Sequence, residues 1–421
     1  MAIGIAAFAA LIALILIGVP IAFALGVTAL LGVAIMDGAS GLPALANITW
    51  GASSEFVLTA IPLFVLMSEL ISATGIGRDL FHAVEKWFGR MKGGMAITGI
   101  SACAIFGAVS GSAVGVAAVI GAIAIPEMLK RGYSRQLATG SIAAASPLGM
   151  IIPPSLPMIL YGVVTETPID KLFIAGILPG LMIAALGCAY VMVVSLGESE
   201  QVPEAVSFRE KLLALRLAGP VIILILLVIG TIYTGVATPT EAAAVGVGGT
   251  LAIAAIQRSL SWSSLIAAVK TSARVSSMLL IVIVGAMLFG YLLGWSRLPQ
   301  LLTEGIVDAG LSKWTVFVLI MLAYFVLGMF LEVTSIILIT VPVIFPTVLA
   351  LGFDPVWFAV ILMINMSFAV VTPPVGLCLF VTKSCAPGTT LKEVIQGTMP
   401  FMVIYVAVAV LLCIFPQLVT S

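Results

Sequence analysis

Long apolar stretches alternate with short segments of glycine, proline or charged residues along almost the whole chain. The stretches at 55–75 and 275–296 are long enough, as helices, to span about 30 Å of bilayer hydrocarbon. The opening 2–36 is interrupted at Gly18-Val19-Pro20, so it forms either two crossings or one long kinked helix. This pattern predicts an all-α polytopic membrane protein.

Composition narrows the classes of function. Hydrophobic residues make up 62% of the chain and charged residues 9%, whereas soluble globular proteins carry roughly 25% charged residues. Lipid must therefore be the solvent of this chain, and no nucleic-acid partner is expected. The single histidine, His82, and five cysteines without metal-ligand spacing do not support a zinc site. An intramembrane hydrolase would need catalytic partners for Glu69 or Glu332 that the sequence does not supply, so an enzyme is not expected.

The two halves of the chain resemble each other when the sequence is shifted by 220 residues. At this offset Pro126 falls on Pro346, and Pro153-Pro154 falls on Pro373-Pro374. Duplication of half a membrane protein is typical of secondary transporters whose two repeats have opposite orientations in the bilayer. The predicted domains are a first inverted repeat at 1–197, a cytoplasmic linker at 198–217 and a second inverted repeat at 218–421.

Basic residues orient the predicted crossings. If each half crosses the membrane an odd number of times, the second half is inverted. The layout that places fifteen of the eighteen Lys and Arg residues in the cytoplasm has ten crossings and both termini outside. The cytoplasmic segments are then 78–92, 130–135, 198–216, 257–274 and 383–392. Residues 78–92 also predict an amphipathic helix in the membrane interface, with 298–311 as a weaker counterpart. Short outward loops are predicted at 37–54, 166–170 and 235–240.

A re-entrant hairpin is predicted in each half. As one helix, the uncharged run 93–125 would be roughly 50 Å long, which exceeds the bilayer core. Lys92 and Lys130 flank the run, and a hairpin keeps both in the cytoplasm. Its tip falls at Ser110-Gly111-Ser112, where small residues suit the freed backbone groups of a turn within the membrane. The second hairpin lies between Lys313 and Asp354, with its tip near Gly328 and Glu332–Ser335.

Each predicted hairpin is followed by an apolar stretch that a proline pair interrupts. These stretches are 136–165, broken around Pro153-Pro154, and 355–382, broken around Pro373-Pro374. Proline lacks an amide donor and clashes with the preceding turn, so each pair ends a helix within the membrane. Unwound carbonyl groups coordinate Na⁺, and helix N-termini attract carboxylates. The repeated design predicts two ion sites around one substrate cavity. Glu332 supports this prediction, because placing an acid within the membrane costs free energy and such residues therefore usually have a function. Glu69 is interpreted as a helix-packing residue.

Five longer motifs resemble the large membrane (M) subunit of tripartite ATP-independent periplasmic (TRAP) transporters, and the resemblance covers almost the whole chain. They are GAVSGSAVGVAAVIGAIAIPEMLKRGYS, SPLGMIIPPSLPMILYG, AGILPG, GMFLEVTSIILITVPVIFP and NMSFAVVTPPVGLCLFV. The resemblance implies Na⁺-driven uptake of an organic acid, usually a carboxylate such as a dicarboxylate or a sialic acid, across the bacterial inner membrane. It also implies an elevator motion, a small four-helix membrane subunit and a soluble periplasmic binding protein as partners, and co-transported sodium without an organic cofactor. This chain has Gly149-Met150 where the family commonly has Gly-Pro.

The same resemblance assigns residues to the site. It implies a first sodium site at Ser110, Gly111, Ser112, Ser146 and Gly149. It implies a second sodium site at Gly328, Glu332, Thr334, Ser335, Thr372 and Pro373. The substrate is expected at Ser112, Pro153, Pro154, Thr334 and Pro374. The moving transport domain would be 93–197 with 314–417, and the scaffold would be 1–92 with 198–313. A stand-alone sodium/carboxylate or anion symporter of related architecture remains the alternative.

Overall fold

Helices form all the regular structure in the described part of the chain, and no strand is present there. The computed structural model describes residues 2–197, 207–298, 300–301, 304–305 and 310–420. The helices are α1 (Ala2–Leu16), α2 (Ile21–Asp37), α3 (Leu42–Ser54), α4 (Ala60–Thr74), α5 (Ile76–Phe88), α6 (Gly94–Ser110), α7 (Ala113–Lys130), α8 (Arg135–Ala145), α9 (Leu156–Thr165), α10 (Ile169–Val194), α11 (Phe208–Tyr233), α12 (Pro239–Gln257), α13 (Trp262–Trp295), α14 (Lys313–Gly328), α15 (Val333–Ala350), α16 (Pro355–Ala369), α17 (Leu377–Ser384), α18 (Leu391–Ile414) and α19 (Gln417–Thr420). Within the described residues, 9 helical segments are long and apolar enough to cross a membrane.

The opening of the chain forms two antiparallel helices rather than one kinked helix. The turn between α1 and α2 contains Gly18 at φ 93°, a conformation that glycine adopts without a steric penalty. A Cβ atom at Gly4 in α1 would lie 2.5 Å from Ser296 Oγ, and one at Gly32 in α2 would lie 2.5 Å from a methyl group of Leu292. The start of α1 and the end of α2 therefore meet the same end of α13.

The predicted outward loop at 37–54 is wrong in its local structure. Residues Gly38–Gly41 form a 3₁₀ turn, and α3 follows from Leu42 to Ser54. Pro43 lies in the first turn of α3, where its missing N–H breaks no helical hydrogen bond. The helix packs against α13, so tertiary contact stabilises a segment that looked too short and polar for a crossing.

The structure agrees only in part with the predicted interfacial helices, the predicted linker and the predicted cytoplasmic segment 257–274. Helix α5, from Ile76 to Phe88, covers most of 78–92 and buries Leu80 and Phe81. Arg131 Nη2, at the end of α7, donates to Glu85 Oε1 at 2.5 Å. Half of the counterpart 298–311 (residues 299, 302–303 and 306–309) and residues 198–206 of the predicted linker lie outside the described residues. Residues 208–217 belong to α11, which begins with a capping box between Ser207 and Glu210. Helix α13 is continuous from Trp262, so most of 257–274 extends a crossing helix.

Both predicted hairpins form as pairs of helices joined by a short turn. Helices α6 and α7 pack together and meet at Gly111, whose φ is 63°. Helices α14 and α15 meet across residues 329–332, and Thr340 Oγ1 donates to Tyr324 Oη at 3.0 Å between them.

Both predicted helix breaks also form. A 3₁₀ turn at Ser146–Met150 and the pair Pro153-Pro154 separate α8 from α9. The pair Pro373-Pro374 lies between α16 and α17. The long helix α18 crosses α8 closely, because a Cβ atom at Gly140 would overlap the backbone of Gly397. Two hairpins, two breaks and their flanking helices thus surround a common centre.

Candidate functional site

A cavity of ≈ 360 Å³ lies between the tips of the two hairpins and the helices α4 and α13. The α4 side contributes Ser68 and Glu69, and the α13 side contributes apolar residues such as Met278. Its full lining is Phe64, Val65, Ser68, Glu69, Val109, Ser110, Gly111, Ser112, Pro154, Leu156, Val275, Met278, Leu279, Glu332, Thr334 and Ser335. The site thus combines hydroxyl groups, carboxylates and apolar walls.

A smaller cavity of ≈ 80 Å³ adjoins the first and shares Gly111, Ser112, Leu156, Glu332 and Thr334 with it. It is lined by the first residues of four helices: α7, α9, α15 and α17. Helix N-termini carry partial positive charge and unpaired amide donors. Four of them at one cavity favour an anion, whereas the Glu332 carboxylate, which caps α15 and also lines the cavity, opposes one unless a cation neutralises it.

The first hairpin tip docks on the first helix break. A Cβ atom at Gly111 would lie 3.3 Å from Leu156 N, so the start of α9 approaches the tip closely. Ser112 Oγ accepts a hydrogen bond from Gly115 N at 3.2 Å and caps α7. Ser155 Oγ caps α9 in the same way and donates to Met150 O at 2.6 Å.

The second hairpin tip docks on the second break. A Cβ atom at Gly328 would lie 2.6 Å from Ala369 Cβ, and Gly376 N donates to Met329 O at 3.4 Å. Glu332 caps α15 by accepting from Ser335 N at 3.2 Å, and its Oε2 also accepts from Thr334 Oγ1. The carboxylate therefore orders the tip while its side chain stays open to the cavity.

The structure brings many of the predicted site residues together at this cavity. Its lining includes Ser110, Gly111, Ser112, Pro154, Glu332, Thr334 and Ser335. Ser146 and Gly149 are buried behind it. Ser146 Oγ donates to Ala143 O at 3.0 Å, and Gly149 packs on Gly107, where a Cβ atom would lie 2.8 Å from Gly149 Cα.

Five other predicted residues lie away from the lining of the two cavities. Pro153 and Gly328 are buried, Thr372 and Pro373 are half-buried, and Pro374 is exposed. Thr372 Oγ1 donates to Phe368 O at 2.8 Å within its own helix end. The ligand roles of these residues stay predictions.

Sequence reasoning missed the contribution of α4. Ser68 Oγ donates to Ser110 O at 2.9 Å, which joins α4 to the first hairpin tip. Glu69, interpreted from the sequence as a packing residue, is half-buried and lines the cavity. The available signal was a carboxylate in the middle of the apolar stretch 55–75. The sequence offered no means of telling which side of α4 faces the hairpins.

Comparison with known proteins supports one family. Residues 8–418 match the family model of the DctM component of tripartite ATP-independent periplasmic transporters. The chain is 34% identical to the C4-dicarboxylate TRAP transporter large permease protein DctM of Pseudomonas aeruginosa, across 86% of this chain and 85% of the relative. It is 32% identical to the ectoine TRAP transporter large permease protein TeaC of Halomonas elongata, across 97% of this chain and 96% of the relative.

A solved structure agrees with the architecture. The crystal structure of the Alcanivorax borkumensis YdaH transporter matches with a TM-score of 0.63 at 16% sequence identity, covering 90% of this chain and 89% of that one. Identity this low shows a shared fold only. The family comprises transporter permeases rather than enzymes, and the apolar helices fit a multi-pass protein of the bacterial inner membrane. The resemblance noted from the sequence motifs is therefore confirmed, and the chain belongs to the DctM family of large permease subunits of TRAP transporters.

Proposed function

We propose that this chain catalyses sodium-coupled uptake of an organic acid across the bacterial inner membrane. The observation that carries the proposal is the convergence of four helix N-termini on one small cavity between the hairpin tips. Free amide donors and aligned helix dipoles bind carboxylates without a basic side chain. The acid group of the substrate would occupy this end of the site.

Sodium would bind where each hairpin tip meets its helix break. Na⁺ is a hard ion that prefers carbonyl, hydroxyl and carboxylate oxygens. The first tip supplies Ser110 and Ser112 beside the break that contains Gly149, and the second supplies Glu332 and Thr334 beside the break that contains Thr372. The docking of each tip on its own break supports this assignment, because oxygens of two segments then lie near each other.

Transport would proceed by an elevator motion of the hairpin-containing domain, 93–197 with 314–417, against the scaffold. The packing of helices supports two inverted repeats. Helix α2 packs on α13 while α4 packs on α12, and α7 packs on α17 while α15 packs on α9. In both cases the second pair joins the counterparts of the first pair at the 220-residue offset. Reciprocal pairing of this kind is the contact pattern that a pseudo-two-fold axis generates.

The partners would be a small four-helix membrane subunit and a soluble periplasmic binding protein. Membership of a family of tripartite transporters supports both. Exposed apolar side chains such as Phe23 and Leu31 on α2 and Leu226 on α11 leave surface for lipid and for a second membrane subunit.

The test is uptake by proteoliposomes that contain this chain with its small subunit, with the binding protein and a labelled acid outside. We expect uptake to require an inward sodium gradient and to cease when choline replaces sodium. Omission of either partner should reduce uptake to the background of empty liposomes. Equal uptake in choline would refute sodium coupling. Full sodium-driven uptake by the chain alone would instead support the stand-alone symporter.

A further inference from the structure

The cavity contains one carboxylate that the protein leaves without a partner. Of its two acids, Glu332 accepts hydrogen bonds from Thr334 and Ser335. Glu69, on the α4 side of the cavity, takes part in no hydrogen bond or ion pair with the described residues. Its side chain lines the cavity from α4 and is half-buried. A half-buried carboxylate is stabilised by a cation or a donor that pairs with it.

Among the described residues that line the cavity there is no lysine, arginine or histidine. The nearest base along α13 is Arg274, one helical turn before the lining residue Met278, and its side chain is exposed outside the cavity. A cation that pairs with Glu69 would therefore come from what the cavity binds.

The two ends of the connected cavities differ in electrostatic character. The smaller end has the four helix N-termini, the larger end has Glu69 on the scaffold side, and Glu332 lines both cavities. The sodium ion proposed at Glu332 would offset its negative charge, so the smaller end would keep the positive character of the helix N-termini. Since the cavities share lining residues such as Ser112 and Thr334, one small molecule can reach both ends. The apolar residues Phe64, Val65 and Leu279 would contact its middle.

We propose that the substrate is a zwitterion, whose carboxylate binds at the helix N-termini and whose ammonium or amidinium group pairs with Glu69. This inference rests on the proposed function, because it assigns the substrate class of the same site. A dicarboxylate would place its second negative charge toward Glu69, where like charges repel. Glu69 is thus a specificity-determining residue that favours zwitterions over simple acids.

The experiment measures ligand affinity on the purified membrane complex of this chain and its small subunit, by isothermal titration calorimetry in saturating sodium. The panel contains zwitterions (ectoine, proline and γ-aminobutyrate) and acids (succinate, malate and lactate). We expect at least one zwitterion to bind ~10-fold or more tightly than every acid. Glu69→Gln should weaken that binding by ~10-fold or more, while Glu69→Asp, which keeps the charge, should retain most of it.

Glu55→Gln is the matched control, since Glu55 is an exposed carboxylate at the start of the same segment and does not line this cavity. It should leave zwitterion affinity unchanged. Tighter binding of any acid than of all the zwitterions, or full affinity in Glu69→Gln, would overturn the proposal. The second result would mean that the negative charge of Glu69 does not contribute to binding.

Sodium dependence separates this proposal from the proposed function. The rise in melting temperature of the complex on addition of sodium should persist in Glu69→Gln. Loss of the sodium effect in this variant alone would make Glu69 a sodium ligand and refute the pairing with substrate. Absence of a sodium effect in the unmodified complex would instead contradict the proposed sodium coupling, whichever ligand class binds.

Discussion

Some side chains at the hairpin tips both stabilise the start of a helix and line the cavities. Ser112 caps α7 and lines both cavities, and Thr334 donates to the carboxylate that caps α15 while it also lines both. A hydroxyl group in such a position can replace a water molecule around a sodium ion. These residues therefore report on ion coupling more directly than the prolines of the breaks.

Ser112→Ala and Thr334→Ala should each raise the sodium concentration that gives half-maximal uptake by ~10-fold or more, because each removes a candidate oxygen ligand. The measurement is the initial rate of uptake in proteoliposomes of the complete transporter at graded external sodium. Ser134→Ala is the matched control for Ser112→Ala, since Ser134 also caps a helix, α8, but lies away from the cavity. Ser112→Ala and Ser134→Ala each lose a helix cap, which costs about 1 kcal/mol in stability.

An unchanged sodium dependence in both Ser112→Ala and Thr334→Ala would contradict the proposed ion sites. Thr334→Ser, which keeps the hydroxyl group, should behave like the unmodified protein. If Thr334→Ser were as defective as Thr334→Ala, the methyl group would be the important part of the side chain.

At the scale of elements, glycine contacts lock the hairpins and breaks together. Gly107 of α6 packs on Gly149 of the first break, and Gly140 of α8 packs on Gly397 of α18. In a bilayer, helix association depends on close packing, which small residues permit. These contacts join segments that are 42 and 257 residues apart in sequence.

Gly140→Ala should destabilise the protein by about 1–3 kcal/mol, because a methyl group at this crossing overlaps backbone that no rotamer change can move. The measurement is the apparent melting temperature of the detergent-solubilised complex. Gly219→Ala is the control, since Gly219 lies inside α11 with nothing within 4 Å of an added Cβ atom. That variant should be neutral or more stable, because alanine favours helix.

An equal melting temperature for Gly140→Ala and the unmodified protein would mean that α8 and α18 do not cross as closely in the membrane. A matching loss of stability in Gly219→Ala would show that any added methyl group is harmful, and the argument from close packing would then fail.

The first hairpin should open toward the cytoplasm at both of its ends. Single cysteines at the exposed positions Lys92 and Lys130, in a variant without the native cysteines, should react with an impermeant maleimide only when the cytoplasmic face is accessible. A cysteine at Glu166, in the predicted outward loop, is the control and should react from outside. Reaction of Lys92→Cys and Lys130→Cys from opposite faces would mean that this segment crosses the membrane.

At the scale of the whole molecule, the hydrogen bond from Ser68 to Ser110 joins the proposed scaffold to the proposed transport domain at the cavity. Buried apolar side chains of α4 and α6 also belong to one hydrophobic core. Such an interface can slide, because apolar packing does not require one fixed register. An elevator motion must separate the hydrogen-bonded pair.

A disulfide between Ser68→Cys and Ser110→Cys should therefore abolish uptake. Reduction should restore uptake to the level that the same variant shows before oxidation. The two hydroxyl oxygens lie 3.4 Å apart, close enough for a bridge after small adjustment. The control pair is Gln136→Cys with Gln396→Cys, whose side chains hydrogen-bond within the proposed transport domain at 3.0 Å. Uptake should survive oxidation of the control pair.

Unimpaired uptake by a fully oxidised Ser68–Ser110 variant would exclude any motion that separates α4 from the first tip. Inactivation of the control pair by oxidation would indicate that flexibility within the transport domain, rather than its displacement, is required.

The sequence by itself determined that lipid surrounds the chain, that the chain is helical, and where the hairpin turn and the helix breaks lie. A chain with 9% charged residues cannot cover itself in water, and membrane-spanning backbone without a closed barrel must be helical. Gly111 and the two proline pairs marked a turn and two breaks, because glycine tolerates positive φ and proline lacks an amide donor. These are local properties of the backbone, so they can be read without knowledge of neighbours. The helical nature of 42–54 was missed because contact with α13, rather than composition, stabilises it.

Only the tertiary structure decided which of these segments meet. The N-termini of α7, α9, α15 and α17 begin at residues 113, 156, 333 and 377, yet they line one cavity. The side of α4 that bears Ser68 and Glu69 faces the first tip, although in an almost uniformly apolar helix no polar stripe distinguishes one side from another. Such choices depend on the summed fit of many small van der Waals contacts between distant segments. No local pattern of residue types encodes that sum, so the position of Glu69 in the cavity emerged only when the helices were assembled.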